Sequence, residues 1–377
     1  MKCEKIRVEN FRNIEEAWVE FSPGVNLLYG DNAQGKTNLL EALSLLALGR
    51  SFRGARDAEM IRFGQEKATV EVTYADSVRE NTIRAEMQAG RRRILRQNGL
   101  AVTKRSEIVG GLRVVLFCPE HLSLIKGSPE LRRSFLDLAL SQLRPLYMAS
   151  LQRYLGILKE RNRLIKLAGE GDAGAALFRD TVDIWSCQLA HEAATISYYR
   201  AHYVEKVNRT VGEILSDMTG GREVASVTYI GSSGEQPEAY FDRERTEKKY
   251  RELLNTSHAR EIGAGFTLWG PHRDDIGIEL GGACARLFAS QGQQRSLSLC
   301  MKLAEGEICR EDCGEYPVFL FDDVMSELDS HRRAYMTEHI RGKQVIMTGC
   351  ELSENSTARD TRVIYVKNGR FSDNPPD

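Results

Sequence analysis

Long hydrophobic runs are missing from this 377-residue chain. No stretch approaches the roughly 18 apolar residues a membrane span requires, and the opening MKCEKIRVENFRN lacks the apolar core of a secretion signal. A cytoplasmic location without membrane contact is therefore expected. Clustered cysteines are missing as well. The eight cysteines are scattered, and only Cys309 and Cys313 fall close together, in a CxxxC spacing without a second pair or histidine partner, which suits two turns of one helix better than a zinc site. Net charge is almost absent, with 52 Lys and Arg against 53 Asp and Glu. Any polyanionic partner must therefore meet positive charge gathered on one surface. Internal repeats and long low-complexity segments are absent too.

What remains is an ordinary globular composition, 42% hydrophobic and 28% charged. The length exceeds one compact core and predicts two lobes, or one domain with a large insertion. Residues 4 to 29 alternate as short strands with Pro23-Gly24 as a turn, and the last of these strands runs into a glycine-rich loop followed by the helical KTNLLEALSLLALG, closed by Gly49. KATVEVTYA, NTIRAEMQ and RRILRQNG suggest a small antiparallel sheet, with QNGL as a turn, before LRVVLFCPE. From Leu131 to about Met218 the pattern is helical. Leu151, Leu155, Leu158, Asn162 and Ile165 form one seam and Val204, Val207, Val211 and Ile214 another, on two helices joined by LAGEGDAGAAL. That pair reads as an antiparallel hairpin, either an ordinary helical subdomain or a projecting coiled coil. After residue 265 an α/β texture resumes through FTLWGPHRDDIGIEL, YPVFLFDDVMSELD and KQVIMTG, and FSDNPPD at the end reads as a disordered tail.

Gly30-Asp31-Asn32-Ala33-Gln34-Gly35-Lys36-Thr37 matches G-x-x-x-x-G-K-[ST] between a predicted strand and a predicted helix. Such a loop needs glycines so that backbone N–H groups can close on phosphate oxygens. Lys36 then reaches the β and γ phosphates, and the Thr37 hydroxyl holds Mg2+. A partner carboxylate on a buried strand is expected, and VFLFDD supplies Asp322 for the metal. Asp323, next in line, either orients the attacking water or caps the following turn.

The set GDNAQGKT, SQGQQR (290 to 295) and FLFDDVMSELD resembles the ATP-binding-cassette head shared by transporters, SMC proteins and recombination ATPases. With ENFRN (9 to 13), GRSFR (49 to 53), PEHLSLIKGSPELRRSFLD (119 to 137) and GPHRDD (270 to 275), the resemblance narrows to the RecF family and covers nearly the whole chain. It implies an α/β fold, an ABC-type P-loop ATPase head built from both ends of the chain with an inserted, mostly helical lobe. The expected divisions are 1–118, 119–265 and 266–370, with a tail at 371–377. It implies ATP and Mg2+ as ligands and a homodimer in which Ser290, Gly292 and Gln293 of one chain approach the nucleotide on the P-loop of the other. The alternative is that SQGQQR simply opens a polar helix. Asp329 would be the D-loop residue, Arg12 and Asn13 would contact phosphate, and Glu120 would stand in the region of the Q-loop, where the expected Gln is absent. No switch histidine is evident; QVIMTGCE offers Thr348, Gly349 and Cys350 instead. With Asp323 in place of a longer Glu, this implies slow hydrolysis.

The implied partners are DNA, duplex and at junctions of single strand with duplex, and RecR with RecO, helping RecA to load at single-strand gaps. An ABC-type ATPase serving a different effector, of phage-defence or transport type, is the alternative. Residues 131 to 170 hold eight Lys and Arg against three acids. Candidate phosphate contacts are Arg132, Arg133, Arg161 and Arg163 there, with Arg91, Arg92 and Arg93 on the predicted hairpin.

Overall fold

The structure is a computed structural model and describes residues 1–350 and 361–375. Its chain forms two units, Met1–Ser123 with Ser298–Asp377, and Leu124–Leu297.

The first unit opens with β1 (Lys2–Phe11), β2 (Ile14–Glu20), β3 (Val25–Tyr29), α1 (Lys36–Leu48), α2 (Asp57–Met60), β4 (Lys67–Ala75), β5 (Glu80–Gln88), β6 (Ile94–Gln97), β7 (Leu100–Val102) and β8 (Val114–Phe117). Alternating strands make an antiparallel sheet in the order β2-β1-β4-β5-β6-β7. Asn98 and Gly99, with φ of 50° and 80°, turn β6 into β7, the left-handed pair that tight hairpins favour.

In the second unit the elements are α3 (Pro129–Leu143), α4 (Pro145–Glu170), α5 (Asp172–Thr219), β9 (Ala225–Ile230), α6 (Arg243–Thr256), α7 (His258–Ala264), β10 (Asp275–Leu280), β11 (Ala283–Cys284) and α8 (Ala285–Phe288). After α9 (Gln291–Cys313) the chain completes the first unit with β12 (Val318–Phe321), α10 (Ser330–His339), β13 (Val345–Gly349), β14 (Thr361–Lys367) and β15 (Arg370–Ser372). The second sheet of the first unit, β15-β14-β3-β13-β12-β8, is parallel apart from β15. Its strands VFLF and VVLF are unbroken apolar runs, as strands covered on both faces require, and VNLLY breaks that pattern only at the buried Asn26. Helix α1 touches strands of both sheets, and eleven of its thirteen residues are buried. It is a sandwiched helix, which is why KTNLLEALSLLAL is apolar nearly all round. The C-terminal ends of β3, β13, β12 and β8 lie side by side, the edge at which open parallel sheets bind ligands.

Four expectations need correction. LAGEGDAGAAL is helical except at Gly171, which alone separates α4 from the 48-residue α5. The inward face of α4 follows the leucine seam only in part: Ile165 is buried, but Leu155 is exposed, and Tyr147, Tyr154 and Arg161, outside the seam, are buried. The tail is not disordered from residue 371, because Phe371 pairs with Val366 and Arg362 forms an ion pair with Asp373; residues 376 and 377 lie outside those described. The second unit also runs to Leu297, past the expected division at 265, and so contains GPHRDD and SQGQQR.

GPHRDD is the hub of that unit. The buried Arg200 donates to Tyr147 Oη (3.0 Å), the Pro271 carbonyl (2.7 Å), Asp274 Oδ2 (3.2 Å) and Asp137 Oδ1 (2.7 Å). Asp274, fully enclosed, also accepts from Tyr229 Oη and the Ser232 amide. Arg132 grips Asp275 with two bonds of 2.6 and 2.8 Å. His272 Nε2 lies 3.1 Å from the Thr267 carbonyl, which can only accept, so Nε2 carries the proton and Nδ1 accepts from Tyr154 Oη. Burial pushes the His272 imidazole down to about 4. An unfolded histidine takes up its proton near pH 6.5. The folded state resists, so stability is complete above that pH and is lost as pH falls towards 4. Between pH 7 and 5 the loss assigned to His272 is about 2 kcal/mol. Denaturant unfolding at both pH values, on wild type and His272→Gln, checks this: the variant is expected to show the smaller acid loss, and equal losses would remove His272 from the account.

Candidate nucleotide site

The loop after β3 folds as a cradle because its residues permit backbone that others resist. Ala33 and Gly35 have φ of 64° and 115°. A Cβ on Gly30 would lie 2.2 Å from the Val366 carbonyl oxygen, and one on Gly35 would lie 2.9 Å from Asn13 Oδ1. Gln34 pins the loop to the β14–β15 turn, accepting from the amides of Asn368 (2.7 Å) and Gly369 (2.8 Å). The Lys36 ammonium folds back on the loop, donating to the carbonyls of Gly30 and Asp31 (3.0 Å) and to Cys350 Sγ (3.1 Å). Cys350 in turn donates to Asn32 Oδ1 at 3.0 Å.

Strand β12 delivers Asp322 to the first residues of α1. Thr37 Oγ1 donates to Asp322 Oδ1 at 2.6 Å, and Thr348 Oγ1 reaches the same oxygen at 3.2 Å. Burial pushes the Asp322 carboxyl up, while bonds from Thr37 and Thr348 and the charge of Arg53 pull it down. A hydroxyl and a carboxylate side by side are the hard oxygen donors Mg2+ takes, and phosphate oxygens and water would complete its shell. Among the described residues no group of three or more His, Cys, Asp or Glu is placed to hold a metal without such help. Asp323 is exposed with φ of 53°. Its amide donates to Thr348 Oγ1 (2.8 Å), and its carboxylate accepts from the Ser326 hydroxyl (3.0 Å). It therefore takes part in its own turn and still faces solvent. Asp329 caps α10, accepting from the Arg332 amide at 2.9 Å and from the Arg332 guanidinium. Glu120 lies exposed in the turn after β8.

Sequence reasoning missed a polar rim beside the loop. Arg12 does not project freely towards phosphate: its guanidinium holds Glu41 through two bonds of 2.9 and 2.8 Å and the Glu59 carbonyl through a third of 2.7 Å. Asn13 Oδ1 accepts from Asn38 Nδ2 (2.8 Å), and Asn38 Oδ1 accepts from Arg53 (3.1 Å). The available signal was Glu41 itself, a lone acid among the leucines of α1.

Ser290, Gly292 and Gln293 belong to the second unit. Ser290 and Gln293 form a reciprocal capping box at the start of α9: the Ser290 amide donates to Gln293 Oε1 (2.8 Å), and the Gln293 amide donates to Ser290 Oγ (3.2 Å). Gln293 Nε2 also donates to Glu223 at 2.8 Å. Within one chain, then, SQGQQR does open a helix.

The basic residues divide sharply. Arg132 and Arg161 are interior, 3% and 0% exposed. Arg161 donates to Glu261 (2.6 Å), Thr267 (2.9 Å) and Ser186 (3.2 Å), so neither can serve as a DNA contact. Arg93 is committed to Asp57 and the Gly49 carbonyl, and Arg133 donates to the Asp274 carbonyl at 2.8 Å. Arg91, Arg92 and Arg163 are exposed.

The RecF/RecN/SMC N terminal domain family matches residues 2–370. The chain is 35% identical over 362 residues to the DNA replication and repair protein RecF of Thermoanaerobacter, spanning 96% of each. The chain belongs to the RecF family. RecF of Listeria innocua is 37% identical over 378 residues, 98% of this chain and 99% of that one. A solved structure of the recombination mediator protein RecF-ATPrS in the RecFOR pathway has a TM-score of 0.91 at 33% identity, covering 98% and 97% of the two chains. An SMC head bound to the C-winged helix domain of ScpA, at 18% identity and a TM-score of 0.57, shares the fold alone. The RecF likeness fixes the fold class as an ABC-type ATPase head, carrying a largely helical second unit.

Proposed function

We propose that the chain is an ATP-binding, Mg2+-dependent ATPase of recombinational repair that dimerises on ATP, binds duplex or gapped DNA and acts with RecR and RecO to help RecA load. The observation that carries the nucleotide half is the Thr37–Asp322 bond, which brings a P-loop hydroxyl and a buried carboxylate together beside Lys36. ATP would enter with its phosphates in the Gly30–Gly35 loop, and Lys36 would exchange the loop carbonyls for phosphate oxygens. Mg2+ would be held by Thr37 and Asp322 and would neutralise phosphate charge. Asp323 would orient the attacking water, and Ser290, Gly292 and Gln293 of a second chain would close the site. Hydrolysis would be slow, as the short Asp323 side chain suits a switch better than rapid turnover. The likeness to RecF-ATP and RecF-ATPrS chains supports this reading. Against a transport role stand GPHRDD and the long inserted helices α4 and α5.

DNA binding would rest on phosphate contacts from exposed arginines. Changing Arg91 and Arg92 to Glu is expected to weaken duplex binding roughly tenfold or more at low salt and to flatten its dependence on salt concentration. Fluorescence anisotropy with duplex and gapped oligonucleotides, with ATP and Mg2+ present, checks this. Affinity unmoved by the double change, or by a severalfold rise in salt, would contradict a phosphate-dominated surface.

A further inference from the structure

The carboxylate of Glu41 is fully enclosed on a helix whose neighbouring core positions are leucines. A bare carboxylate there would be expensive, so the fold must supply charge and hydrogen bonds to it. Three donors do so. Arg12 gives the two parallel bonds described above, Ser51 Oγ donates a third, and the Arg53 guanidinium lies 3.7 Å away. Each comes from a different segment: the β1–β2 turn, and two points in the chain that follows α1. Arg12 is fixed at its backbone too, with φ of 54° and its amide donating to the Met60 carbonyl at 2.8 Å. From Arg53 the bonds continue through Asn38 to Asn13, whose side chain lies against Gly35 of the loop.

One anion thus faces two cations at the rim of the phosphate cradle. The bidentate pair neutralises Glu41 against Arg12, and Arg53, with 45% of its side chain exposed, carries the remaining charge. Packing alone does not call for this arrangement, since a leucine would fill the space without importing two arginines.

We infer that Glu41 is a positioning residue of the nucleotide site: it holds Arg12 and Arg53 in fixed orientations beside the P-loop, so that their positive charge is in place before triphosphate arrives. The inference rests on the nucleotide reading proposed above. Preorganised charge acts on the bound ground state and the transition state alike, so its loss should appear as weaker binding with little change in turnover at saturation.

The test is ATP affinity and steady-state hydrolysis for wild type, Glu41→Gln, Glu41→Asp and Arg12→Lys, with far-UV circular dichroism confirming that each is folded. Glu41→Gln keeps the shape and removes the charge, and it is expected to raise Kd and KM for ATP about tenfold or more while kcat changes by less than about threefold. Glu41→Asp, with the charge retained, is expected to recover part of the loss. Arg12→Lys, at a partly exposed position, keeps the charge but loses the bidentate geometry and is expected to raise KM severalfold; it stands in if Glu41→Gln does not fold. Folded Glu41→Gln and Arg12→Lys with wild-type KM would reduce Glu41 to a structural ion pair and overturn the inference. If wild type itself binds no ATP, the nucleotide reading falls, and this inference with it.

Discussion

Asp323→Asn is expected to bind ATP about as tightly as wild type and to hydrolyse it about a hundredfold more slowly or worse, whereas Lys36→Ala is expected to lose binding itself. The two effects separate because the two side chains do different work. Lys36 is the cation at the centre of the loop, satisfied before binding by the Gly30 and Asp31 carbonyls and by Cys350. Its removal would take away the charge-assisted contact to phosphate proposed for it. Asp323 touches none of the loop residues through its carboxylate, which is exposed and bonded only to Ser326 among the contacts above. Its contribution would be made to the attacking water, and removal of such a base typically costs 10² to 10⁴ in rate. A fluorescent nucleotide titration and phosphate release under single-turnover conditions check both halves. An Asp323→Asn variant that hydrolyses at the wild-type rate would leave Asp323 with only its role in the turn.

The second large effect concerns pairs of chains. Ser290→Arg and Lys36→Ala are each expected to be inactive alone and to recover activity when mixed. In a two-fold dimer with composite sites, a mixed pair has one site carrying both lesions and one carrying neither. As neither variant is expected to pair with itself on ATP, the mixed pair, with one working site of two, restores at most about half of wild-type turnover. Ser290 also caps α9, and losing that cap costs about 1 kcal/mol within the chain. Ser290→Ala separates the two roles, since it loses the cap without adding the bulk and charge that would block a partner. A mixture as inactive as its components would mean that SQGQQR does not serve a neighbouring chain.

The parts of the molecule legible in the sequence were those whose cause is local. The strands VFLF and VVLF announce burial by being apolar without interruption, and the glycines of GDNAQGKT announce a phosphate loop by their spacing. Asn98-Gly99 identified its hairpin for the same reason. What was not legible depends on partners distant in the chain. Arg161 looks like one more surface cation until Glu261, 100 residues on, meets it in the interior. Arg132 is cancelled by Asp275 across 143 residues. The face of α4 is hard to read from sequence because its buried members include Tyr154 and Arg161, which no count of leucines detects. Arg12 was placed near phosphate from a motif, but its commitment to Glu41 could be anticipated only from the cost of burying a lone acid in α1. The paired role proposed for SQGQQR would be a property of two chains, and a single sequence holds only its halves.

The measurement that bears most directly on the central claim is the solution mass of the purified protein without nucleotide, with ADP and with ATP and Mg2+, for wild type beside Lys36→Arg and Ser290→Arg. The account predicts that ATP alone doubles the mass of wild type and that both variants stay monomeric. ATP bound at saturation with no change in wild-type mass would contradict it, and the helix-opening role of Ser290 and Gln293 would then be the whole of their function.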